Sequence, residues 1–272
     1  MTVKVVAIMG SPHKGNSLEV TQRLEAELRR QCDVTFEYLH LRELDLQPCK
    51  GCFVCFIKGE ERCPLKDDMA LIRHKIDQAD GVVFVSPVYS MHVSYLMKAF
   101  IDRFAYNLHR PRYHGKYALA VAVTGNIGLD PTLKYLQDVA EAMGFDCVDR
   151  LGYLAAPKNT PLRTISTRQD RTAEVAATFY RAMVTKRPKK LGFIHHLGFR
   201  LMQTSYARLE EMSPTDYRHW QERGWLDPRT RYYHDNVRGN WFLDLFARLV
   251  GWMTGRQIDK ALVQAAPQEP ST

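Results

Sequence analysis

The chain has 272 residues, 45% of them hydrophobic, and its 38 Lys and Arg against 30 Asp and Glu give a formal net charge of +8. Length and apolar content suit one domain with an extension, and no apolar run approaches the roughly 20 residues of a membrane span. The basic balance suits anionic ligands, nucleic acid or anionic membrane surfaces. No zinc-finger spacing, homeodomain-like helix or RNP-type aromatic motif accompanies it, which excludes nucleic acid as the expected partner.

The opening MTVKVVAIMG lacks the basic start, long apolar middle and small-residue cleavage site of a signal peptide, so a cytoplasmic protein is expected. Val3 to Met9 is a nearly continuous β-branched run, as in a strand buried on both faces. Leu18, Leu24 and Leu28 recur at helical spacing up to Arg30, and Val34 to Leu39 reads as a second strand. Met69, Ile72 and Ile76 mark a helix, with Asp67 its expected cap, and Gly81 to Val85 a third strand. Leu96, Phe100 and Phe104 mark another helix, and Tyr117 to Val123 a fourth strand. Asp130 and Pro131 read as the N-cap and first position of the next helix. Asp146 to Leu154 is a fifth strand and Thr172 to Val184 a closing helix. Strands alternating with helices predict an α/β fold, a doubly wound five-stranded parallel sheet of order 2-1-3-4-5.

The basic stretch KRPKK, 186–190, marks a boundary, giving an expected domain over 1–187 and a helical C-terminal extension over 188–272. The extension holds all four tryptophans and helical patterns at Phe193–Leu209, Pro214–Arg223 and Trp241–Met253, with Ser213 the expected cap of the second. Such a segment serves as an oligomerisation arm or an active-site cover. The stretch WFLDLFARLVGWM is amphipathic enough for a membrane surface, although Asp244 and Arg248 interrupt it and favour protein packing.

The strongest local signal is the loop Gly10-Ser11-Pro12-His13-Lys14-Gly15-Asn16-Ser17, which leaves the first strand and opens the first helix. A strand-to-helix turn aims backbone N–H groups and the positive end of the helix dipole at one point, an anion site. Ser11 and Ser17 add hydroxyls, His13 and Lys14 add positive charge, and Asn16 and Glu19 are spaced as a capping box. The order Lys-Gly rules out a Walker A loop, and two glycines rule out the dinucleotide fingerprint. Strand three ends in Ser86-Pro87-Val88-Tyr89-Ser90 and strand four in Thr124-Gly125-Asn126-Ile127-Gly128. In a doubly wound sheet these loops converge with the first outside the carboxyl ends of the strands. Tyr89 offers a flat aromatic surface, and the glycines allow a planar ring to approach the backbone. Tyr89, His92 and Asn126 are candidates for hydrogen bonds to a ligand.

Four of the six cysteines, Cys49, Cys52, Cys55 and Cys63, follow Cys-x2-Cys-x2-Cys-x7-Cys. In a reducing compartment this spacing points to metal or redox chemistry rather than to a disulfide framework. Three thiolates two residues apart can wrap one face of a cubane cluster and a fourth can close it. Redox-active thiols and a zinc site are the other readings.

GSPHKGNS, SPVYS with the following LMKAFIDRF, and CKGCFVC…C…DDM together resemble the flavodoxin-like NAD(P)H-dependent FMN oxidoreductases, in particular their iron–sulfur flavoprotein branch, over about residues 1–185. The resemblance implies FMN, its phosphate on residues 11–17 and its isoalloxazine ring against 87–90 and 124–128. It implies a homodimer or homotetramer and NAD(P)H as co-substrate, with a quinone, flavin, nitro or azo compound as acceptor. The alternative it implies is an iron–sulfur flavoprotein with a [4Fe-4S] cluster on the four cysteines, or a flavodoxin-type carrier, exchanging electrons with a protein such as ferredoxin. The gap of seven before Cys63 is longer than the branch usually shows.

Overall fold

The structure is a computed structural model describing residues 2–155, 165–166 and 171–265. Its sheet contains β1 (Val3–Met9), β2 (Val34–His40), β3 (Gly81–Tyr89), β4 (His92–Val93), β5 (Tyr117–Thr124), β6 (Asp146–Ala155) and β7 (Ile165–Ser166). The parallel strands run β2-β1-β3-β5-β6, the order expected for five parallel strands, and β7 adds antiparallel to β6. β4 folds back on β3, pairing His92 with Tyr89 and Val93 with Val88.

The continuous β-branched and aliphatic runs are explained by burial on both faces. α1 (Asn16–Gln31) lies on one side. The short α2 (Val54–Ile57) follows it in the chain, then α3 (Met69–Gln78), α4 (Tyr95–Arg103), the single turn α5 (Tyr106–His109), α6 (Leu129–Ala142) and α7 (Thr172–Thr185). Val20, Leu24 and Leu28 of α1 and Val175, Phe179 and Met183 of α7 share a core with Val3, Val5 and Ala7. Ile72, Ile76, Phe100 and Leu136, from α3, α4 and α6, pack with Val6, Ile8 and Phe84 on the opposite face.

Three helix starts differ from expectation. Gly15, not Asn16, caps α1, so Asn16 and Glu19 lie inside the first turn. Gly128, in left-handed backbone, caps α6, which puts Asp130 and Pro131 within its first turn. Asp68 stands at the N-cap of α3 without a side-chain cap bond, while the Asp67 carboxylate accepts from the Met69 N–H at 3.3 Å.

Asp67 forms a buried ion pair with Arg103, whose Nη1 also donates to the Gln47 carbonyl at 2.9 Å. Asp67 accepts from the N–H of Gln47 at 3.0 Å, and Asp68 accepts from that of Asp45 at 2.8 Å. The two aspartates therefore pin residues 45 and 47 to 67 and 68, closing the stem of the cysteine-bearing excursion.

The chain forms two compact units, one of residues 1–52 and 65–187, the other of 53–64 and 188–272. Residues 53–64, expected within the N-terminal domain, thus group with the C-terminal segment. There α2 packs on α9 (Pro214–Glu222), which follows β8 (Lys189–Leu191) and α8 (Phe193–Tyr206). β9 (Val237–Gly239) pairs with β8, and α10 runs over Trp241–Ala265, past the expected end at Met253. Ser213 stands at the N-cap of α9, with its hydroxyl on Asp216 at 2.5 Å.

The core of this second unit is aromatic: Phe199, Tyr206, Trp220, Trp225 and Tyr232 are all buried. Buried Arg200 grips Asp244 of α10 with Nε at 2.9 Å and Nη2 at 2.8 Å, and its Nη1 donates to Gln203 and to the Thr230 carbonyl. Asp244, which in the sequence interrupts an apolar stretch, is thus turned inward. Among the described residues no helix is long and apolar enough to cross a membrane.

Candidate functional site

Three loops meet at the carboxyl ends of β1, β3 and β5. Gly10 donates its N–H to the Val85 carbonyl at 2.8 Å, and its own carbonyl accepts from Ser94 Oγ at 2.5 Å. A Cβ on Gly10 would lie 2.9 Å from Met97 Cβ and 3.2 Å from the Val85 oxygen, so only glycine fits where the first loop passes β3 and α4. Ser94 is the N-cap of α4 and accepts from the Met97 N–H at 3.2 Å. Ser86 Oγ accepts from the Ser94 N–H at 3.0 Å, and both serines are wholly buried.

In the first loop Ser11 is buried and donates to the His13 carbonyl at 2.7 Å, while the Gly15 N–H also points to that carbonyl at 3.0 Å. The loop thereby curls back on itself ahead of α1. Helical bonding begins when Leu18 and Glu19 donate to the Gly15 carbonyl, so the N–H groups of Asn16 and Ser17 precede the ladder at the positive helix end. His13 and Lys14 are exposed and Ser17 is buried. Lys14 pairs with Glu43 at 2.9 Å, and this ammonium holds the Glu43 carboxyl below its ordinary range.

In the third loop Ser90 and Met91 have φ of 48° and 72°, left-handed backbone at two successive residues without a glycine. The hairpin between β3 and β4 demands such angles, which asparagine and glycine normally supply. Strain of this kind is held where the surroundings over-determine it. The turn brings out Tyr89, 40% exposed, and Met91, while Pro87 is buried and Val88 half-buried. Burial of its ring base, then the neighbouring Tyr95, raise the Tyr89 phenol above its ordinary pKa.

The fourth loop is built on Thr124, which donates to the Ile127 carbonyl at 2.7 Å and accepts from the Asn126 N–H at 3.2 Å. Gly125, Asn126 and Ile127 are exposed. Gly128 has φ +82°, and a Cβ there would lie 2.8 Å from Met91 Cα, so the third and fourth loops touch at a point only glycine can occupy. His92 packs on Tyr135 of α6 with the rings tilted, centroids 4.4 Å apart.

The structure therefore brings Ser11, His13, Lys14, Gly15, Asn16 and Ser17 into one loop, tied through Gly10 and Ser94 to Pro87–Ser90, which touch Thr124–Gly128. A helix N-terminus with hydroxyls and a lysine, but no carboxylate within the loop, suits a phosphate. The exposed apolar faces of Tyr89, Met91 and Ile127 suit a planar ring. These residues fit FMN. The sequence reading missed Ser94 and Met91; Ser94 ahead of the run LMKAF carried a cap signal that could have been read.

The four cysteines divide between the units, Cys49 and Cys52 in the first, Cys55 and Cys63 in the second. Cys49 Sγ accepts from the Gly51 N–H at 3.4 Å. Among the described residues no group of three or more His, Cys, Asp or Glu side chains is gathered to hold a metal ion.

The described topology has a known counterpart in the crystal structure of RosB, with a TM-score of 0.51 and 13% identity over 67% of this chain and 79% of that one, a likeness of fold alone. In sequence the chain is similar to an iron–sulfur flavoprotein of Archaeoglobus fulgidus, 29% identical over 232 residues that span 82% of this chain and all of the relative. It is also similar to one of Methanocaldococcus jannaschii, 31% identical over 141 residues, half of this chain and 70% of that one. Residues 3–159, which carry all three loops, match the family of NADPH-dependent FMN reductases. The chain belongs to that family and is an NAD(P)H-dependent flavin oxidoreductase.

Proposed function

We propose that this chain passes electrons from NAD(P)H through FMN to a small acceptor such as a quinone, a free flavin, or a nitro or azo compound. The observation that carries the reading is the junction of three loops through Gly10–Ser94 and Gly128–Met91, with a phosphate-compatible turn on one side and an exposed aromatic platform on the other. FMN, when bound, supplies hydride acceptance and its onward transfer. The protein's part is to bind and orient. Residues 11–17 would hold the phosphate, with the α1 N-terminus and Lys14 neutralising its charge. For Lys14 this means exchanging Glu43 for the phosphate. Residues 87–90 would set one edge of the ring, and Thr124, Gly125, Asn126 and Gly128 would present backbone and amide donors to another.

A second reading, electron exchange with a protein such as ferredoxin through a [4Fe-4S] cluster on Cys49, Cys52, Cys55 and Cys63, draws on the cysteine spacing and on the similarity to two archaeal iron–sulfur flavoproteins. One experiment separates the two. The purified protein is examined anaerobically by absorbance, assayed for iron and acid-labile sulfide, and then given NADH or NADPH with quinone and flavin acceptors. Flavin bands and steady turnover without iron support the first reading. Iron and sulfide at about four per chain, with a flavin that neither nicotinamide reduces, support the second. A colourless protein that takes up no added FMN would overturn both.

A further inference from the structure

The 25-residue helix α10 has two faces of opposite fate. Ala247 and Gly251 are buried, and Gly251 and Gly255 lie against Thr204 of α8. On the other side Trp241, Phe242, Leu245, Phe246, Leu249 and Trp252 are each 51–61% exposed. At 3.6 residues per turn these six fall on one continuous stripe, and Arg256 and Lys260 continue it in the following turns. The patch extends to α8, where Phe193 rings Phe246 at 5.6 Å and Ile194 is exposed. Contiguous apolar surface of this kind on a chain otherwise well packed marks an interaction site.

The charges identify what covers it. Both carboxylates of α10 are already paired. Asp244 is turned inward onto Arg200 and Arg248, and Asp259 pairs with Arg208 at 2.7 Å. The cations remain outward: Arg256 lies 4.0 Å over the Trp252 ring, and Lys260 is exposed. A second copy of this face would bring two more cations and no carboxylate that is not already paired. An anionic bilayer meets both halves of the stripe, accepting aromatic and leucine side chains below the headgroups while Arg256 and Lys260 stay at headgroup level. The net charge of +8 acts in the same direction. We infer that the exposed face of α10 docks this oxidoreductase on anionic membrane surfaces, lying in the interface rather than crossing it.

The test is co-sedimentation of the full-length, FMN-loaded protein with vesicles of equimolar phosphatidylglycerol and phosphatidylcholine, against vesicles of phosphatidylcholine alone. The protein is expected to pellet with the anionic vesicles and to be released as salt rises. Its tryptophan emission should shift to the blue, since Trp241 and Trp252 are exposed whereas Trp220 and Trp225 are already buried. The double variant Leu245→Glu/Leu249→Glu should weaken vesicle binding by roughly tenfold or more, and Arg256→Ala/Lys260→Ala by about as much. Both should keep the parent's flavin spectrum and its NAD(P)H turnover with a soluble acceptor, because all four side chains project from the surface of the second unit. Equal pelleting with phosphatidylcholine, or binding unmoved by the leucine variant, overturns the inference. So does a solution dimer that the leucine variant dissociates, which would give the face to a second copy.

Discussion

Gly128 and Asp67 show how much hangs on single residues here. Gly128 combines a φ of +82° with a Cβ position 2.8 Å from the Met91 backbone, so a side chain meets both a conformational and a steric penalty. Gly128→Ala is expected to cost at least about 1 kcal/mol in urea unfolding and to weaken FMN binding by the apoprotein in a fluorescence titration, because the third and fourth loops must part. Asp67 is different, since its carboxylate works through charge. Burial alone would raise its pKa, but the Arg103 guanidinium and the N–H groups of Gln47 and Met69 outweigh burial and hold it below the ordinary carboxylate range. A carboxyl lowered on folding contributes stability at pH values above its unfolded value near 4, and that contribution is lost as pH falls through the folded value. Urea midpoints measured from about pH 6 downward should therefore drop below about pH 4, and Asp67→Asn should flatten that drop. At neutral pH Asp67→Ala should cost about 3–5 kcal/mol, since it leaves the Arg103 cation buried without its partner.

Among the elements, α4 and the β3–β4 hairpin set the shape of the site. Ser94 both caps α4 and holds the Gly10 carbonyl, so Ser94→Ala should lower stability by about 1 kcal/mol as a lost cap. It should also reduce FMN affinity, because the first loop loses its tie to α4. The hairpin offers the opposite experiment. Replacing Ser90-Met91 with Asn-Gly supplies residues that favour positive φ and should raise the melting temperature. It also removes the exposed Met91 side chain, and a fall in flavin affinity despite greater stability would place Met91 in the ring platform. The strands and helices were legible in the sequence because burial on two faces writes continuous apolar runs, and one-sided burial writes the 3.6-residue period of α1 and α7. The helix starts were less so. Asn16, Asp67 and Asp130 are all good capping residues, yet glycines at 15 and 128 took two of the caps, since the chain had to enter α1 and α6 from tight turns. Asp67 does bond the first N–H of α3, but its carboxylate is shared with Arg103, a residue 36 positions away. Distant partners of this kind leave no local pattern.

At the scale of the whole molecule, the converging loops could be read from the sequence because strand order alone places them side by side. The membership of residues 53–64 could not, because the segment's partner α9 lies far along the chain and neither carries a pairing signal. That membership changes what a truncation does. A chain ending at residue 187 keeps its sheet and its three loops but leaves α2 without α9. Limited proteolysis should then cut between residues 53 and 64 at least several-fold faster than in the full-length protein, as expected where a segment loses its buried contacts. Replacing 53–64 with a short glycine-serine bridge in the same truncation should restore resistance and retain FMN uptake. Cleavage of the truncated chain at the full-length rate would show that the excursion holds its shape without α9.

The stem closed by Asp67 and Arg103 also bears on how the protein is made. Both sides of the stem and Arg103 leave the ribosome early, whereas α9 emerges last but for the final helix and its approach. The excursion is thus anchored at its base well before its tip has anything to pack on, and the cysteines at 55 and 63 wait in the open through most of synthesis. Whatever oxidant, metal or assembly factor reaches those thiols has its widest access on the nascent chain, and the arrival of the C-terminal segment narrows it, leaving both thiols half-buried.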